Sequence, residues 1–537
     1  MFASLESNRQ CFCFKPMRIV FLFFAVAAQL VFPALTFATG KAHHVVVIVW
    51  DGMRPDFVSE QNCPTLYQLS RQGVTFTHHH SVYLSATEVN GTAISTGAYP
   101  AHDGIIGNSE YRPEIDPLKS IHTEIQSAVR KGDQVAHGHY LRRATLAEII
   151  RGAGRKAVVA GAKPVALLAD RGPRTSSANG VNVFAGSTLP ADLAATLIDR
   201  HGEFPTEDAT SPTRNDWTAD AFLDLWADGV PEFSFLWMNE PDSSQHRTGP
   251  GSEQSLAAIR NTDHNLAKIL QALESKGVRQ STDLIIVSDH GCSTISKKVD
   301  LADALQKIGL KATREFKTNP AAGEILIVSN SGSSMIYVIG HDHKIIDLVV
   351  RFLQQWPHSG VIFTRKTMPG TFALRRVHLD SGDAPDVVVS MRWTAEENKN
   401  GTLGLVTTDS TSYGEGQGIH VTLSPFDMHG TLIAAGPDFR ADIQSPIPSG
   451  NVDVAPTVLW ILGIKPPKRM DGRVLAEALT IPAPAVKISE PHRLETTRAL
   501  EGATWHQYLK VSEVNGVDYF DEGNGAQTAG TIKGRNR

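Results

Sequence analysis

The sequence predicts an α/β fold in which a doubly wound, mostly parallel sheet is flanked by helices. Hydrophobic residues make up 41% of the 537 residues, enough for a large buried core. Short apolar, β-branched runs alternate along the chain with helix-like stretches. Runs of this kind indicate strands that are covered on both faces. Their alternation with helices is typical of a parallel sheet with helices on either side.

Five apolar runs are the candidate strands of this sheet: residues 44–50, 157–160, 233–238, 284–287 and 432–435. Helix-like stretches lie between them, for example residues 64–72 and 145–152. In parallel sheets, ligands bind just beyond the carboxyl ends of the strands. The polar residues that follow these runs are therefore the first candidates for a functional site.

The alternating pattern is interrupted in the second half of the chain. Between residues 293 and 423, strand-like segments surround a helix-like stretch at 344–356, which predicts a smaller α+β insertion. We therefore expect a catalytic domain formed by residues 43–292 and 424–482, with the insertion between its two parts. The polar residues 483–537 form a C-terminal extension, expected as a hairpin or a partly ordered end.

The N-terminus has the features of an export signal. Lys15 and Arg18 precede an apolar run at 19–38, and Thr36 and Ala38 are small residues at the −3 and −1 positions of a cleavage site. The alternative is an uncleaved anchor, although the interrupted run barely reaches the ~20 residues that a span needs. We expect residues 1–38 to be a signal peptide. The protein would then be periplasmic or extracellular, with no stable membrane insertion after cleavage.

The charge and the cysteine content limit the kinds of binding partner and of covalent cross-link to expect. Its formal net charge is −5, and there is no basic excess that would predict a nucleic-acid-binding surface. Beyond the signal only Cys63 and Cys292 remain, which could form a disulfide in an oxidising compartment or stay as buried thiols. We therefore expect a small-molecule substrate. The oligomeric state does not follow from the sequence.

Carboxylate and imidazole residues gather at the ends of the predicted strands. They are Asp51, Asp242, His246, Asp289, His290 and His429, the last of which precedes a strand rather than following one. This mixture of ligands suits zinc. With a hydroxyl from Thr87 there are seven ligands, which divide into one site of three and one of four. Two metals about 4 Å apart can clamp the attacking and leaving oxygens of a displacement at phosphorus.

Several motifs occur in an order that resembles the alkaline phosphatase superfamily, and most of all its nucleotide pyrophosphatase/phosphodiesterase branch. The segments that carry the resemblance are VWDGMRP (49–55), TEVN (87–90), STGAYP (95–100), HDGIIGN (102–108), EPDSSQHRTGP (240–250), SDHG (288–291) and MHG (428–430). A late segment at 451–473 resembles the closing helix and loop of the family. Together they span about residues 45–475, which implies an alkaline phosphatase-like fold.

The resemblance implies a role for each matching residue. Asp242, His246 and His429 would bind the first zinc ion, and the second would be bound by Asp51, Thr87, Asp289 and His290. Thr87 would attack the phosphorus atom and form a phosphothreonine intermediate. Asn108 would hold a phosphoryl oxygen together with the backbone N–H of the nucleophile. The alternative for Asn108 is a turn residue, which its position after Gly107 favours less. The implied activity is phosphodiester or nucleotide pyrophosphate hydrolysis.

Two positions leave the substrate class open. Glu88 stands where the diesterase branch commonly has an aromatic residue that stacks on a nucleobase, which weakens the case for nucleotides. Lys163 lies where monoesterases of the superfamily place a lysine, but Val165 fills the place of their second cation, so a loop lysine is equally compatible. A phosphomonoesterase is therefore the main alternative. A non-catalytic metal-binding relative is less compatible, because all seven ligand positions are filled.

Overall fold

The computed structural model describes residues 40–206 and 213–529, and helices and strands alternate along most of this length. The predicted signal peptide, residues 1–38, lies outside the described residues. In chain order the described strands are β1 His44–Trp50, β2 Val74–Phe76, β3 His79–His80, β4 Ser109–Glu110, β5 Ile121–His122, β6 Ala157–Gly161, β7 Val181–Phe184, β8 Ser187–Leu189, β9 Phe233–Met238, β10 Thr282–Val287, β11 Ser293–Val299, β12 Ala312–Thr313, β13 Ile325–Asn330, β14 Ser333–Val338, β15 Ser359–Thr364, β16 Phe372–Ala373, β17 Val387–Met391, β18 Trp393–Glu397, β19 Leu403–Asp409, β20 Gly418–Ile419, β21 Leu432–Ala435, β22 Ile443–Ser445, β23 Ser449–Gly450, β24 His492–Leu500, β25 Ala503–Val514 and β26 Val517–Ala529.

The described part of the chain also contains fourteen α-helices. They are α1 Pro64–Gln72, α2 Thr87–Thr96, α3 Pro100–Asp103, α4 Gln126–Val135, α5 Leu146–Gly152, α6 Ala166–Ala169, α7 Leu193–His201, α8 Thr213–Asp224, α9 Asp242–Thr248, α10 Glu253–Ser275, α11 Leu301–Lys307, α12 His343–Gln355, α13 Pro425–Met428 and α14 Val454–Ile461. Within the described ranges, none of them combines the length and the apolar character that crossing a bilayer requires.

A nine-stranded sheet in the order β22-β2-β21-β10-β1-β9-β6-β7-β8 forms the centre of the fold. Its five strands from β10 to β7 run parallel, and Ile48 of β1 is in register with Leu236 of β9 and Ile286 of β10. These strands are almost completely buried, because helices cover both faces of the sheet. The predicted doubly wound, mostly parallel α/β sheet is confirmed.

The run at 432–435 is a buried strand of this sheet, as expected, but it runs antiparallel to β10. Leu432 pairs with Val287, so the first residue of β21 lies beside the last residue of β10. The N–H of Ser288 donates to the carbonyl of Thr431 (2.7 Å) and continues the pairing. The segment before β21 therefore reaches the same edge of the sheet as the segments that follow the parallel strands.

The segment predicted as an insertion forms two further sheets. A six-stranded sheet in the order β12-β13-β14-β17-β15-β16 packs against α11 and α12 around a hydrophobic core of its own. A four-stranded sheet, β18-β19-β11-β20, lies between this unit and the metal-ligand candidates. The predicted helix at 344–356 is α12, which begins one residue earlier, at His343.

The C-terminal extension is a three-stranded antiparallel sheet, β24-β25-β26. It is more ordered than the predicted hairpin or partly ordered end, because its apolar residues Leu509, Val514 and Phe520 are buried in the main core. Tyr519 donates a hydrogen bond to Asp453 (2.8 Å), which begins the turn into α14. The extension is thus packed into the part of the chain predicted as the catalytic domain.

The two described cysteines are not joined. Cys63 and Cys292 are separate, buried thiols, so the buried-thiol alternative holds and the disulfide alternative does not. Burial raises the pKa of the Cys63 thiol to about 12, which keeps this group uncharged and unreactive at neutral pH.

Replacing a core residue of the C-terminal sheet tests its integration into the fold. Phe520 is 1% exposed, so Phe520→Ala is expected to lower the free energy of unfolding by about 3–5 kcal/mol. Ile488, just before the sheet, is 55% exposed, and Ile488→Ala is expected to change it by about 0.5 kcal/mol or less. Guanidinium denaturation followed by tryptophan fluorescence measures both. Equal, small effects would mean that the sheet is not part of the main core.

Candidate active site

Polar side chains from four parallel strands meet at the carboxyl edge of the central sheet. Asp51 directly follows β1, Lys163 follows β6, Asp242 begins α9 after β9, and Asp289 and His290 follow β10. Because adjacent parallel strands end at the same edge, residues far apart in sequence are brought into contact. The residues predicted from the strand ends thus lie together at one edge of the sheet, with the exception of His429 described below.

Three carboxylates of this edge are buried, and each has one oxygen that is held and one that is not. Asp51 accepts from the indole N–H of Trp237 (2.8 Å), and Asp289 accepts from the backbone N–H of Gly52 (3.1 Å). Asp51 Oδ1, Asp242 Oδ1 and Asp289 Oδ2 have no hydrogen-bond donor within the described parts of the chain. Buried carboxylate oxygens without donors are costly unless a cation binds them.

Three histidines direct Nε2 toward these oxygens, because Nδ1 of each ring is held by a backbone carbonyl. The Nδ1 atoms of His246, His290 and His420 lie 2.8–2.9 Å from the backbone carbonyls of Gly418, Gly291 and Ser85, respectively. A carbonyl only accepts, so each Nδ1 carries the proton and each Nε2 presents a lone pair. This orientation by a backbone carbonyl is typical of metal-ligating histidines.

The Nε2 atoms lie close to the unsatisfied carboxylate oxygens. His246 Nε2 is 3.1 Å from Asp242 Oδ1, and His290 Nε2 is 3.1 Å from Asp289 Oδ2 and 3.5 Å from Asp51 Oδ1. His420 Nε2 is 3.8 Å from Asp242 Oδ1. Lone pairs and carboxylate oxygens repel each other unless cations lie between them. The residues therefore fit two divalent cations, and zinc suits this donor set.

Burial favours the uncharged form of two of the histidines and also of the carboxyl groups beside them. It lowers the pKa of His290 to about 4, and it lowers the pKa of His420 well below its usual value, with the neighbouring His290 adding to the effect. Both imidazoles are therefore neutral at pH 7 and able to bind a metal. Burial, and then the nearby Asp242, raises the pKa of Asp51 to about 7, which shows how unfavourable a third buried anion is without bound cations.

The position predicted for His429 is occupied by His420. The His420 ring stacks on that of His290 (centroids 3.6 Å apart) and lies 5.2 Å from that of His246. The His429 ring packs instead against His80, at a centroid distance of 4.7 Å, and forms a separate group with it. The predicted ligand set is therefore corrected by exchanging His429 for His420.

A specific difference in the chain path explains why His420 was missed. It follows β20, which has only two residues, so the sequence contains no apolar run from which a strand end could be predicted there. Between His420 and β21 the chain makes the short helix α13, and this helix separates His429 from the ligand cluster. His429 was predicted instead because it lies in the MHG motif, shortly before the apolar run of β21. The signal that could have identified His420 is the Gly-Ile-His segment 418–420.

Thr87 is the first residue of α2, with its side chain at the ligand cluster. Its Oγ1 lies 3.2 Å from His290 Nε2, and the residue is 3% exposed. At this end of a helix the N–H groups point outward and the macrodipole is positive, which favours an anion such as a phosphoryl group. Gly91 lets α2 approach the sheet, because a Cβ there would lie 3.0 Å from the Trp237 ring.

Asn90 holds the loop that leads to Thr87. Its Oδ1 accepts from the N–H of Val82 (2.8 Å), and its Nδ2 donates to the carbonyls of Leu84 and Ala86 (3.0 and 3.1 Å). Asn451 donates to both Asn90 Oδ1 (2.9 Å) and the carbonyl of Asp289 (2.7 Å). The loop before Thr87 and a metal-ligand candidate are thus fixed by one buried network.

Asn108 and Lys163 both belong to the site. The amide oxygen of Asn108 accepts from the N–H of Glu88 (3.1 Å), which leaves its Nδ2 group to donate into the cavity. Lys163 Nζ lies 2.8 Å from Asp51 Oδ2 and 2.6 Å from Asp242 Oδ2. The alternative of a solvated loop lysine is therefore wrong. Although burial opposes its charge, Asp242 and Asp51 raise the pKa of Lys163 well above its usual value.

A cavity of about 510 Å³ opens in front of Thr87. Two buried carboxyl groups, from Glu88 and Glu124, line it beside Asn108 and Lys163. Burial, and then Glu124, raises the pKa of Glu88 well above its usual value. On the other side the Tyr413 ring stacks on that of His246 (4.5 Å, 6° between planes). The cavity thus offers hydrogen-bonding carboxyl groups at the position next to the nucleophile.

Comparison with known proteins identifies the family of the chain. Residues 45–394 match the model of the type I phosphodiesterase/nucleotide pyrophosphatase family. A bis(5'-adenosyl)-triphosphatase enpp4 from Mus musculus is 22% identical over 79% of this chain and 79% of its own length. The ectonucleotide pyrophosphatase/phosphodiesterase family member 1 of Rattus norvegicus is 25% identical over 48% of this chain and 24% of its own length.

Solved structures share the fold. The murine ectonucleotide pyrophosphatase/phosphodiesterase 5 aligns with a TM-score of 0.57 and 17% identity, over 81% of this chain and 100% of its own. An inactive variant of that protein in complex with AMP aligns with a TM-score of 0.56. The family match covers most of the described chain, including all the ligand candidates except His420. The chain therefore belongs to the type I phosphodiesterase/nucleotide pyrophosphatase family and is a phosphoric ester hydrolase.

Proposed function

We propose that this protein is an exported phosphodiesterase that works through a phosphothreonine intermediate on Thr87 at a two-zinc site. The observation that carries the proposal is the position of Thr87 Oγ1. It lies at the N-terminus of α2, 3.2 Å from His290 Nε2, and it lines the same cavity as Asp242, His246 and His420. A hydroxyl in this position can reach a phosphorus atom in the cavity. Export is supported by the basic residues, apolar run and cleavage pattern of residues 1–38.

Two groups of side chains would hold the cations. Asp242, His246 and His420 form the first group, and Asp51, Thr87, Asp289 and His290 form the second. Bound there, divalent cations would supply Lewis acidity to the attacking and leaving oxygens of a displacement at phosphorus.

The reaction uses Thr87 twice. Its Oγ1 bonds to phosphorus while the bond to the leaving oxygen breaks. The hydroxyl proton is released to solvent, and the departing oxygen takes up a proton from solvent. A water oxygen then bonds to phosphorus, the bond from phosphorus to Thr87 Oγ1 breaks, and one proton of the water restores the hydroxyl. The Nδ2 group of Asn108 and the backbone N–H of Thr87 donate to a phosphoryl oxygen, and each such donor is typically worth about 3 kcal/mol in the transition state. The buried network of Asn90 and Asn451 keeps Thr87 in place throughout.

A phosphomonoesterase remains the alternative, and the position of Lys163 favours it. Its ammonium group lines the cavity and could contact the additional negative oxygen of a monoester. Against this, Lys163 is already paired with Asp51 and Asp242. Glu88, next to Thr87, cannot stack on a nucleobase as an aromatic residue would. A simple diester therefore fits the cavity better than a nucleotide.

A comparison of ester classes tests the proposal. With zinc added, kcat/KM for bis-p-nitrophenyl phosphate and thymidine p-nitrophenyl phosphate is expected to exceed that for p-nitrophenyl phosphate by more than about tenfold. Thr87→Ala is expected to lower diester turnover by at least about 10³-fold, whereas Thr87→Ser keeps a hydroxyl and retains measurable activity. A preference for the monoester would move the assignment to a phosphatase. Full activity in Thr87→Ala would exclude the phosphothreonine route.

The exchange of His429 for His420 leads to opposite expectations for two alanine variants. His420→Ala removes a ligand of the first group and is expected to lower kcat/KM for the diester by about 10²-fold. His429→Ala, as the matched control, is expected to stay within about threefold of the wild type. The two variants are compared at saturating zinc with the same diester. If His429→Ala is the inactive variant, the correction to the ligand set is wrong.

Lys163 places its ammonium group between Asp51 and Asp242, so its removal should matter most without metal. In EDTA, Lys163→Met is expected to lower the free energy of unfolding by about 3 kcal/mol, because it removes the positive charge that lies between two buried carboxylates. With zinc the difference between variant and wild type should shrink below about 1 kcal/mol. Denaturation curves in both buffers measure it. If the free energy of unfolding of the variant is lower than that of the wild type by the same amount in both buffers, cation binding at these carboxylates is contradicted.

A further inference from the structure

A second group of metal-ligand side chains lies outside the proposed active site. His80, His429 and Asp521 each offer one ligand atom, and these atoms lie within 4.8 Å of one another. They come from three distant segments: β3, the end of α13 and β26 of the C-terminal sheet. Neither the motif analysis nor the proposed reaction uses this group. Of its three members, only His429 was predicted to be a ligand, and for a different site.

The backbone fixes the two histidines relative to each other. His80 and His429 form an antiparallel β-bridge. The N–H of Ser81 donates to the carbonyl of Met428 (2.7 Å), and that of Gly430 donates to the carbonyl of His79 (3.2 Å). The two backbone segments are therefore paired directly, and the two rings meet edge to face.

Asp521 is brought to the histidines by the C-terminal sheet. Its Oδ1 lies 3.0 Å from His80 Nε2. The hydroxyl of Ser512, on the neighbouring strand β25, donates to the same carboxylate at 3.0 and 3.3 Å. The carboxylate is thus held in place by its own sheet and is directed at His80.

The hydrogen-bond partners of the two histidines favour a bound cation. His80 Nδ1 lies 3.0 Å from the carbonyl of Ser449, which can only accept, so Nδ1 carries the proton. In the neutral ring Nε2 is then a lone pair that faces the Asp521 carboxylate. His429 Nε2 is buried and has no hydrogen-bond partner within the described ranges. His80, His429 and the Asp521 carboxylate thus converge, and the described residues supply no hydrogen-bond partner to His429 Nε2. His80 is oriented in the same way as the three histidines of the proposed active site, with Nδ1 at a backbone carbonyl.

We propose that His80, His429 and Asp521 bind a structural divalent cation, with zinc as the best match. Two imidazole nitrogens and one carboxylate oxygen are a zinc ligand set, and water can fill the fourth position. The cation joins the C-terminal sheet to β3, which runs into the loop that carries Thr87. It therefore fastens the extension to the segment that positions the nucleophile. The only metal-free arrangement of the same contacts is an ion pair between Asp521 and a doubly protonated His80.

Metal analysis of the full chain and of two variants tests the proposal. Asp521→Asn and His429→Gln change partly exposed residues, so the buried His80 is left intact. After zinc loading and gel filtration, each variant is expected to bind about one equivalent less zinc than the wild type, as measured by inductively coupled plasma mass spectrometry. Diester turnover at saturating zinc should stay within about threefold of the wild type. Because the readout is a difference of one equivalent, it does not depend on how many ions the active site holds.

Asp518→Asn is the matched control. Asp518 lies on the same strand as Asp521 but contacts His378 (3.2 Å), so this variant should bind as much zinc as the wild type. Zinc is also expected to raise the Tm of the wild type by at least about 2 °C more than that of Asp521→Asn. Wild-type zinc content in both Asp521→Asn and His429→Gln would overturn the proposal and leave the ion pair. The same result follows if Asp518→Asn loses as much zinc as they do.

Discussion

The burial of three carboxylates at one point is the constraint on which the rest of the site depends. Asp51, Asp242 and Asp289 are all 0–1% exposed and lie at the ends of neighbouring strands. In a medium of low polarity, like charges this close destabilise the fold unless cations compensate them. Lys163 provides one positive charge between two of the carboxylates. The unsatisfied oxygens and the neutral histidines show that the site is built for more positive charge than Lys163 supplies.

The same constraint explains the rigidity around the site. Each ligand candidate is held by a group that is not itself a ligand, such as the indole of Trp237 or the backbone N–H of Gly52. Asn451 bonds to Asn90 on one side and to the backbone of Asp289 on the other. The start of α2 and the turn after β10 are therefore fixed relative to each other. A nucleophile needs this fixed distance from its cations, because a small displacement lowers the rate strongly.

The C-terminal sheet extends this network beyond the part of the chain that matches the family model, which ends at residue 394. Tyr519 donates to Asp453, and Arg473 donates to the Tyr519 hydroxyl (3.0 Å). Asp521 meets His80 only two residues further along β26. The extension thus contacts both the closing helix region and the segment before the nucleophile. Its contribution is best understood as fixing the back of the active site rather than as a separate domain.

The sequence by itself determined the local elements and the residues at the ends of the strands. Burial on both faces leaves a continuous apolar run, so the bounds of β1 and β9 could be predicted from residue type alone. Because parallel strands end at one edge, Asp51, Asp242 and Asp289 could be grouped before any contact was known.

Only the tertiary structure decided which distant segments meet. The direction of β21, the choice of His420 over His429 and the position of Lys163 between two carboxylates all depend on pairing between segments many residues apart. The contact between Asp521 and His80 joins two residues that are 441 positions apart, and it depends on the packing of the C-terminal sheet. Local patterns reflect the burial of neighbouring residues, whereas these contacts are set by the packing of whole sheets against one another. A histidine beside a two-residue strand leaves no periodic pattern, so its role becomes visible only once the chain is folded.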